Sequence, residues 1–533
     1  MDAGHVIGWG LNSLRYADAT SKEKRERAEC GFGWFVPRVR WSLHHSWGPQ
    51  TISVPLGSEA ATSITDRLTR TSGGFLRWQR ADTNEQETGV LHRIGLISVL
   101  LWPVPVSAAD WPHWRGPERS GVTSDPSGWD GTSWIADEAW EISVGEGSSS
   151  PVVVDDRVYF TGWSDGLDSI TCVRLDDGQL LWRQFAPAPR YGRFAVGDQG
   201  LYSGACSTPE YDPDTGLLFT LSIDGDLIAW DTKDLGKRRW GINLYDEFGG
   251  ERRPDVATRR KTQRDYGYTT SPLVQGEQLI VEVGGRTGNL VALNKRDGRV
   301  LWSGENRDEA GHSGGLVPIT VEGTPCVAVL TLRNLVVTSI HPDSAGRTVA
   351  EVPWTTDFGN NIPTPVVYEE SVIVTSSYNR SAMCRVKIDL RGATKVWETE
   401  ETHSAVCSPV VHNGYLYWAW RGVHCVDLDT GHERWSGGNV EAPGSCIVTG
   451  DGRLVVYANK GDLTLVETAD RSPDAYRELA AEQVLTTIDA WPHVVVVGDR
   501  ILCRDRSGAV RCLRTHAASS AKVGVLPKST RGN

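Results

Sequence analysis

Residues 290–302, with the sequence LVALNKRDGRVLW, contain the unit that decides the fold. A short apolar strand at Leu290 to Leu293 leads into a turn, Gly298 follows, and Trp302 comes four residues later. Glycine allows the positive backbone φ that a tight turn often needs, and the tryptophan then falls on the next strand. The spacing recurs with one longer variant and one isolated Trp, at Gly178/Trp182, Gly236/Trp240, Gly431/Trp435, Gly392/Trp397 and Trp354.

A second marker opens each unit. Proline stands before a short apolar segment, and a turn signal such as Asn413-Gly414 follows four residues after it. Proline at the start of a strand removes no ladder hydrogen bond. These prolines are Pro151, Pro209, Pro272, Pro318, Pro365 and Pro409.

The two markers together enclose four short strands in units of about 40 to 60 residues, which is typical of a propeller blade. An all-β, eight-bladed propeller with four antiparallel strands per blade is therefore predicted. Seven blades, with one degenerate sixth or seventh unit, is the alternative. The predicted blades lie near 148–184, 204–244, 268–305, 312–356, 362–400, 405–438, 444–486 and 489–516.

The last unit ends without a tryptophan strand. The segment Glu138 to Val144, which carries Trp140, has the character of that missing strand. We therefore expect the N-terminal strand to close the ring, so that no open sheet edge remains between the first and last blades. The propeller is assigned to 138–516, preceded by an N-terminal segment at 110–137 and followed by a disordered tail at 517–533.

Composition narrows the function. The 533 residues include 67 Asp plus Glu against 55 Lys plus Arg, a net charge of −12. Nucleic-acid binding is not expected, because duplex affinity comes mainly from cationic side chains that neutralise phosphates. Hydrophobic residues at 39% and charged residues at 23% are ordinary for a globular protein. The 57 Gly, 26 Pro and 22 Trp agree with a turn-rich all-β repeat.

A targeting signal is predicted inside the chain. His92-Arg93, the apolar run from Ile94 to Val106 and Ser107-Ala108-Ala109 have the order of a secretory signal peptide, assigned to 90–109. The run is too short for a transmembrane segment. Residues 1–89 are interpreted as an artefact of start assignment, with a real disordered extension as the alternative. The cleavage site Ala-Ala-Asp has no lipobox Cys, so a soluble periplasmic or secreted protein is expected.

These repeats resemble the PQQ-like (pyrroloquinoline-quinone-type) propellers, whose pattern A-L-x-x-x-x-G-x-x-x-W stands here from Ala292 to Trp302. The opening ADWPHWRGPERSGV at 109–122 is similar to exported propellers of planctomycete-type bacteria, and the scaffold of the BamB-like, outer-membrane-assembly type belongs to the same group. The resemblance implies that tryptophans dock each blade on the next, a role assigned to Trp140, Trp182, Trp240, Trp302, Trp397 and Trp435.

The resemblance also raises quinone chemistry. A quinoprotein dehydrogenase holds PQQ over a tryptophan floor, beneath a disulfide of adjacent cysteines and beside Ca²⁺. This sequence has no Cys-Cys pair and no Cys-x-x-Cys-His haem site. Trp418 and Trp420 are interpreted as core residues rather than as a floor. No catalytic, cofactor-binding or metal residue is assigned.

A basic region is the one candidate ligand site. The stretches around 190–193 and 249–268 are rich in arginine within an acidic protein, and they lie where such propellers place mouth loops. They either bind an anionic ligand or are solvated loops. The candidate residues are Arg190, Tyr191, Arg193, Arg252 and Arg253.

Three functions stay open. The first is an exported, non-catalytic propeller that binds a protein or polymer partner through its loop faces, as a monomer and without a cofactor. The second is a PQQ- and Ca²⁺-dependent, or otherwise divergent, oxidoreductase. The third is a sugar- or polymer-active enzyme.

Cysteine pairing is the last prediction from the sequence. If Ser507-Gly508 is a two-residue hairpin turn, Cys503 lies directly opposite Cys512, where cross-strand Cβ atoms approach to about 4.5–5.5 Å. A disulfide there and a pair of buried thiols are both open interpretations.

Overall fold

The structure is a computed structural model that describes residues 110–189, 204–249, 266–356, 361–378, 380–441, 443–486 and 489–516. The predicted extension at 1–89, signal peptide at 90–109 and tail at 517–533 lie outside these residues. The described ranges form eight four-stranded antiparallel sheets, the blades of a β-propeller. The prediction of eight blades is confirmed, and the alternative of seven is wrong.

The first strand of the described residues, β1 (Ile135–Ser143), belongs to the last blade. Blades 1 to 4 then follow, each from four successive strands. Their strands are β2 Val152–Val154, β3 Arg157–Ser164, β4 Leu167–Arg174, β5 Leu180–Pro187, β6 Glu210–Asp212, β7 Leu217–Leu221, β8 Asp226–Asp231, β9 Lys237–Asn243, β10 Leu273–Gln275, β11 Gln278–Glu282, β12 Leu290–Asn294, β13 Val300–Ser303, β14 Val317–Val321, β15 Thr324–Leu330, β16 Asn334–Ser339 and β17 Thr348–Pro353.

Blades 5 to 7 repeat this order, and blade 8 takes its fourth strand from β1. One short helix, α1 (Leu244–Phe248), follows blade 2, and 3-10 turns lie at Gly285–Thr287 and Pro342–Ser344. The remaining strands are β18 Val366–Tyr368, β19 Ser371–Ser377, β20 Ser381–Asp389, β21 Gly392–Thr399, β22 Val410–His412, β23 Tyr415–Ala419, β24 Val423–Asp427, β25 Glu433–Gly437, β26 Gly444–Val448, β27 Arg453–Ala458, β28 Asp462–Glu467, β29 Glu478–Gln483, β30 Val495–Val497, β31 Arg500–Arg504 and β32 Ala509–Thr515.

The proline marker locates the first strands well. Five of the six prolines stand immediately before a first strand, as Pro151 does before β2. Pro318 differs, because it is the second residue of β14 and pairs with Val327. β14 is an end strand of its sheet, and an edge tolerates the missing N–H.

Every blade has a register break at the same place between its third and fourth strands. In blade 3, Ala292 faces Trp302 while Leu293 faces Val300, so one residue of the fourth strand bulges. The residue that follows this bulge is tryptophan in six blades and alanine, Ala350 or Ala480, in blades 4 and 7. The placement of Trp354 in this position was wrong, since it lies just beyond the end of β17.

The N-terminal strand closes the ring as predicted. β1 pairs antiparallel with β32, and Trp140 lies opposite Cys512. Arg511 of β32 donates to Glu141 at 2.7 Å on the exposed side of the pair. Blade 8 is therefore built from both ends of the propeller sequence, and unfolding either end opens the ring.

The predicted alignment of Cys503 with Cys512 is wrong. The hairpin has a three-residue loop, because the Asp505 N–H donates to Ala509 O at 3.0 Å, and Gly508 takes the positive φ of 94°. This shifts the register so that Cys503 faces Arg511. Successive side chains of a strand point to opposite faces, so the two thiols lie on opposite faces of the sheet, and both are free.

Candidate functional site

The N-terminal segment at 110–134 crosses one face of the propeller. We call this the turn face, because it carries the turns between first and second strands. The Asp155 N–H in the blade 1 turn donates to Asp110 at 2.9 Å, and Ser127 bonds Asp451 in the blade 7 turn at 2.8 Å. The Gly498 N–H of the blade 8 turn donates to Asp125 of the N-terminal segment at 2.7 Å. The segment is therefore part of the folded ring.

Trp114 carries this segment to the propeller axis. Its Nε1 donates to Thr364 Oγ1 of blade 5 at 3.1 Å, and its ring meets His493 of blade 8 edge to face at 5.2 Å. A Cβ at Gly314 or Gly315 would come within 2.6 Å of the indole, so only glycine fits there without movement. Trp114 thereby lies in the axial channel, beside residues that precede the first strands of blades 4, 5 and 8.

An axial cavity lies on the other side of Trp114. It encloses about 850 Å³, open solvent at its mouth included. Most of its wall consists of residues that precede or begin the first strands, so it faces the connections between blades rather than the turn face. The lining residues are Trp114, Ser148, Cys206, Tyr266, Thr269, His312, Gly314, Ile362, Val406, Ser408, Gly444, Ser445, Trp491 and His493.

Two buried arginines bond the chain neighbours of residues that line this cavity. Arg504 donates to Ser149 O at 2.9 Å and to its Oγ at 2.8 Å, and burial lowers the pKa of Arg504 to about 10. Burial also lowers the pKa of Arg115 to about 10. Both guanidinium groups stay charged at neutral pH. Burial, with the charge of Arg115, lowers the pKa of His493 to about 3, so this lining imidazole is neutral.

The described lining does not fit the calcium and quinone pair that the resemblance implies. Calcium takes oxygen ligands, carboxylates above all, and none of the described lining residues is acidic. In the described part of the chain, no three His, Cys, Asp or Glu side chains form a group that could hold a metal. Trp418 is fully buried and stacks on His424 at 4.9 Å in blade 6, so it lies in the core rather than in the cavity wall.

A second cavity, of about 380 Å³ with open solvent at its mouth included, lies between blades 1 and 2. Asp168 of β4 and Asp226 of β8 line it. Burial, with the charges of Asp226 and Asp224, raises the pKa of Asp168 to about 7. This site could not be predicted from the sequence, because the two strands that meet here belong to different blades.

The six predicted docking tryptophans lie at the interfaces between neighbouring blades. The clearest case is Trp240 of blade 2, whose ring would be 2.9 Å from a Cβ at Gly298 in blade 3, and whose Nε1 donates to Lys295 O at 3.1 Å. Trp140, Trp182, Trp302 and Trp397 contact Gly178, Gly236, Gly346 and Gly431 of the next blade in the same manner. Trp435 instead meets Tyr476 of blade 7 at 6.1 Å.

The predicted ligand loop is untested. Arg190, Tyr191, Arg193, Arg252 and Arg253 all lie outside the described residues.

The sequence reasoning missed the residues that the N-terminal segment buries. Arg119 forms a buried ion pair with Glu210 of β6, and Glu210 also accepts the Val274 N–H of blade 3 at 2.9 Å. The signal was present, since WPHWRGPER at 111–119 is unusually dense in tryptophan and arginine for a linker.

These features, a ring of eight four-stranded blades with tryptophans at their interfaces, define a PQQ-like repeat propeller. A family model described as outer membrane protein assembly factor BamB matches residues 168–437, more than half of the chain. The chain belongs to this family.

Comparison with curated proteins gives no match. Among solved structures, BamB from Moraxella catarrhalis is 14% identical, with 71% of this chain and 99% of that chain covered and a TM-score of 0.46. The computationally designed Ika8 protein is 10% identical, with 71% and 100% covered and a TM-score of 0.47. A europium-containing methanol dehydrogenase is 12% identical, with 67% and 89% covered and a TM-score of 0.36. Within the described residues, no helix has the length and apolar character to span a bilayer.

Proposed function

We propose that the protein is a non-catalytic binding module that docks a protein partner on the outer rim of its propeller. The observation that carries this is the distribution of exposed large hydrophobic side chains. Of the eight such residues in the described ranges, seven lie on a fourth strand or in the turn that leads into one. They are Leu180, Phe185, Leu235, Val300, Leu301, Leu390 and Val396, and the eighth is Leu167.

The fourth strand is the outer edge of each blade. In every described sheet it ends the strand order, so one side of its backbone pairs with no strand of the blade. A free edge with apolar side chains is a template for an added strand. The loop faces remain part of the expected binding surface, but the exposed apolar side chains favour the rim.

The rim where blades 1 and 2 meet is the strongest candidate. Leu180 and Phe185 of β5 are each 54% exposed, and Leu235 in the neighbouring turn of blade 2 is 67% exposed. Gln184 of β5 donates to Leu235 O at 2.9 Å, which fixes that turn beside the strand. A partner segment that paired with β5 would cover these side chains. The family description, an assembly factor, supports a binding role of this kind.

Photo-crosslinking in the native host tests this function. A photoreactive phenylalanine replaces Phe185 in one chain and, as a matched control, Glu482 on the outer strand of blade 7 in another. We expect one recurrent protein adduct at position 185, weakened when Leu235→Asp is added, and none at position 482. No adduct at position 185, or equal adducts at both positions, contradicts the proposal.

We also infer that the mature protein is exported and works without PQQ or Ca²⁺. Quinone catalysis needs a clamped cofactor, a cation on its carbonyls and a base at the substrate alcohol, because the protein supplies orientation and electrostatics. The described cavity has aromatic walls but no acidic residue to hold the cation. Purified protein supplied with PQQ and Ca²⁺ is expected to show no dye-linked alcohol or aldose oxidation. Stoichiometric PQQ binding with turnover would instead support the oxidoreductase.

A further inference from the structure

Two buried cysteines meet where blade 6 packs on blade 7. Cys407 lies just before β22, Cys446 lies in β26, and they are 2% and 0% exposed. The Ala419 N–H donates to Cys407 Sγ at 3.3 Å, and the Cys446 thiol donates to Tyr417 O at 3.7 Å. Tyr417 and Ala419 are two residues apart on β23, so these backbone groups point to the same edge of the strand.

The same geometry brings the two sulfurs together. Both sulfurs lie against neighbouring backbone groups of β23, and the two cysteine side chains interact with each other. Their chain neighbours Val406, Ser408 and Ser445 line the axial cavity, so the thiol pair lies directly behind the cavity wall.

A buried cation accompanies this thiol pair. Arg115 of the N-terminal segment is 1% exposed, and it donates to Pro409 O beside Cys407 and to Ser120 O at 2.9 Å. The hydrogen bond from Cys446, the Ala419 N–H and the charge of Arg115 hold the pKa of Cys407 below its usual range. Of the nine described cysteines, only Cys407 has a lowered pKa.

We propose that Cys407 and Cys446 form a disulfide that joins blade 6 to blade 7 when the protein meets a small organic disulfide. The Cys407 thiolate attacks one sulfur of the oxidant, which forms a mixed disulfide and releases one thiol. Cys446 then loses its proton and attacks Cys407 Sγ, which forms the protein disulfide and releases the second thiol. Two electrons pass from the cysteines to the oxidant's disulfide bond.

The bond is expected to stabilise the ring. It closes a loop between two blades and reduces the entropy of the unfolded chain. It also fixes the strands against which Arg115 packs. Oxidised protein should therefore melt a few degrees higher than reduced protein.

Peptide mapping of the full chain tests the site. The folded protein is incubated with oxidised glutathione or with dithiothreitol, then alkylated in denaturant without reductant, digested and analysed by mass spectrometry. We expect a linked peptide pair containing Cys407 and Cys446 only in the oxidised sample, and its loss after reduction. Cys206→Ala removes the most exposed of the described cysteines and should leave the linked pair unchanged.

Three results would overturn the proposal. They are alkylation of both cysteines after oxidation, a glutathione adduct that never resolves to the linked pair, and linkage of either cysteine to a different one. The experiment uses the wild-type protein, so no outcome depends on whether a cysteine variant folds. It is also independent of the partner-binding proposal.

Discussion

The blade interfaces fall into two groups. Six blades place a tryptophan directly after the bulge of the fourth strand, whereas blades 4 and 7 place Ala350 and Ala480 there. The alanines face blades 5 and 8, in which no glycine of a turn between the third and fourth strands packs on the preceding blade. In blade 5 a Cβ at Gly392 would meet nothing within 4 Å, and blade 8 has no such turn, because its fourth strand is β1.

This comparison shows that the tryptophan of one blade is matched to the turn of the next. The interface between blades 4 and 5 instead uses Trp354, which lies beyond the strand beneath Arg380 at 3.8 Å. The interface between blades 6 and 7 keeps its tryptophan but packs Trp435 on Tyr476 rather than on glycine. The tryptophan and the glycine of the repeat motif therefore specify the interface between two neighbouring blades, not the structure of one blade alone.

Loss of the closing strand should have the largest effect. A chain that begins at Ser148 lacks β1, which leaves the edge of β32 unpaired and Gly178 without Trp140. We expect its melting temperature to fall markedly below that of a chain that begins at Asp110. Equal melting temperatures in calorimetry would mean that the ring closes in another way.

Removal of one docking tryptophan should come next. Trp240→Ala leaves a cavity beside Gly298, and large-to-small changes of this kind cost about 3–5 kcal/mol. Urea unfolding at neutral pH measures the loss. A loss below about 1 kcal/mol would show that the tryptophans are not what holds the blades together.

Acid should destabilise the folded protein by protonating His493, which lies just before β30 of blade 8. The folded-state pKa of His493 is lowered to about 3 from an ordinary 6.5, so the unfolded chain binds a proton that the folded chain does not. Stability from this group is complete above about pH 6.5 and falls as the pH drops, by about 1.4 kcal/mol per unit.

A comparison of the wild type with His493→Gln isolates the contribution of His493 to the pH dependence of stability. Between pH 7 and pH 5 the wild type should lose about 2 kcal/mol more than His493→Gln in urea unfolding. His113 also has a lowered pKa, of about 4, but both chains contain it, so its contribution cancels. Identical pH dependence in the two chains would refute the assignment.

A glycine pair separates backbone strain from contact with the tryptophan. Gly298 and Gly323 have φ of 74° and 80°, but an added Cβ meets Trp240 at 2.9 Å only at Gly298. Both alanine variants should lose about 1 kcal/mol from the left-handed backbone. Gly298→Ala should lose about 1–2 kcal/mol more through overpacking, which equal unfolding midpoints for the two variants would contradict.

The smallest expected difference concerns the indole N–H. Trp240 Nε1 donates to Lys295 O, whereas Trp182 Nε1 has no hydrogen-bond partner in the described residues. The two tryptophans pack on turns of different length. The Gly298 N–H beside Trp240 donates to Asn294 O, four residues back, whereas the Gly236 N–H beside Trp182 donates to Asp231 O, five residues back. Trp240→Phe should therefore destabilise by about 1 kcal/mol more than Trp182→Phe in urea unfolding. Equal losses would contradict this.

The local chemistry of the sequence was sufficient for the fold. Prolines, glycine turns and tryptophans located eight blades, and Trp140 located the closing strand. The predicted alignment of Cys503 with Cys512 was wrong because it depended on the exact length of one loop. The loop after Asp505 has three residues rather than two, so Cys503 faces Arg511 instead.

The candidate sites were less predictable because they join distant segments. The axial cavity depends on Trp114, which reaches Thr364 across 250 positions of sequence. The Cys407 and Cys446 pair depends on how two blades pack. Neither contact produces a local sequence pattern, whereas each blade has recognisable proline, glycine and tryptophan motifs.

The closed ring of eight blades requires that β1 pairs with β32. Hydrogen–deuterium exchange with mass spectrometry measures this pairing. Amides of Ile135–Ser143 should exchange as slowly as those of Lys237–Asn243, the equivalent strand of blade 2. Amides of Ala509–Thr515 should open together with them. Rapid exchange of Ile135–Ser143, while Ala509–Thr515 stays protected, would show that β1 does not close the ring.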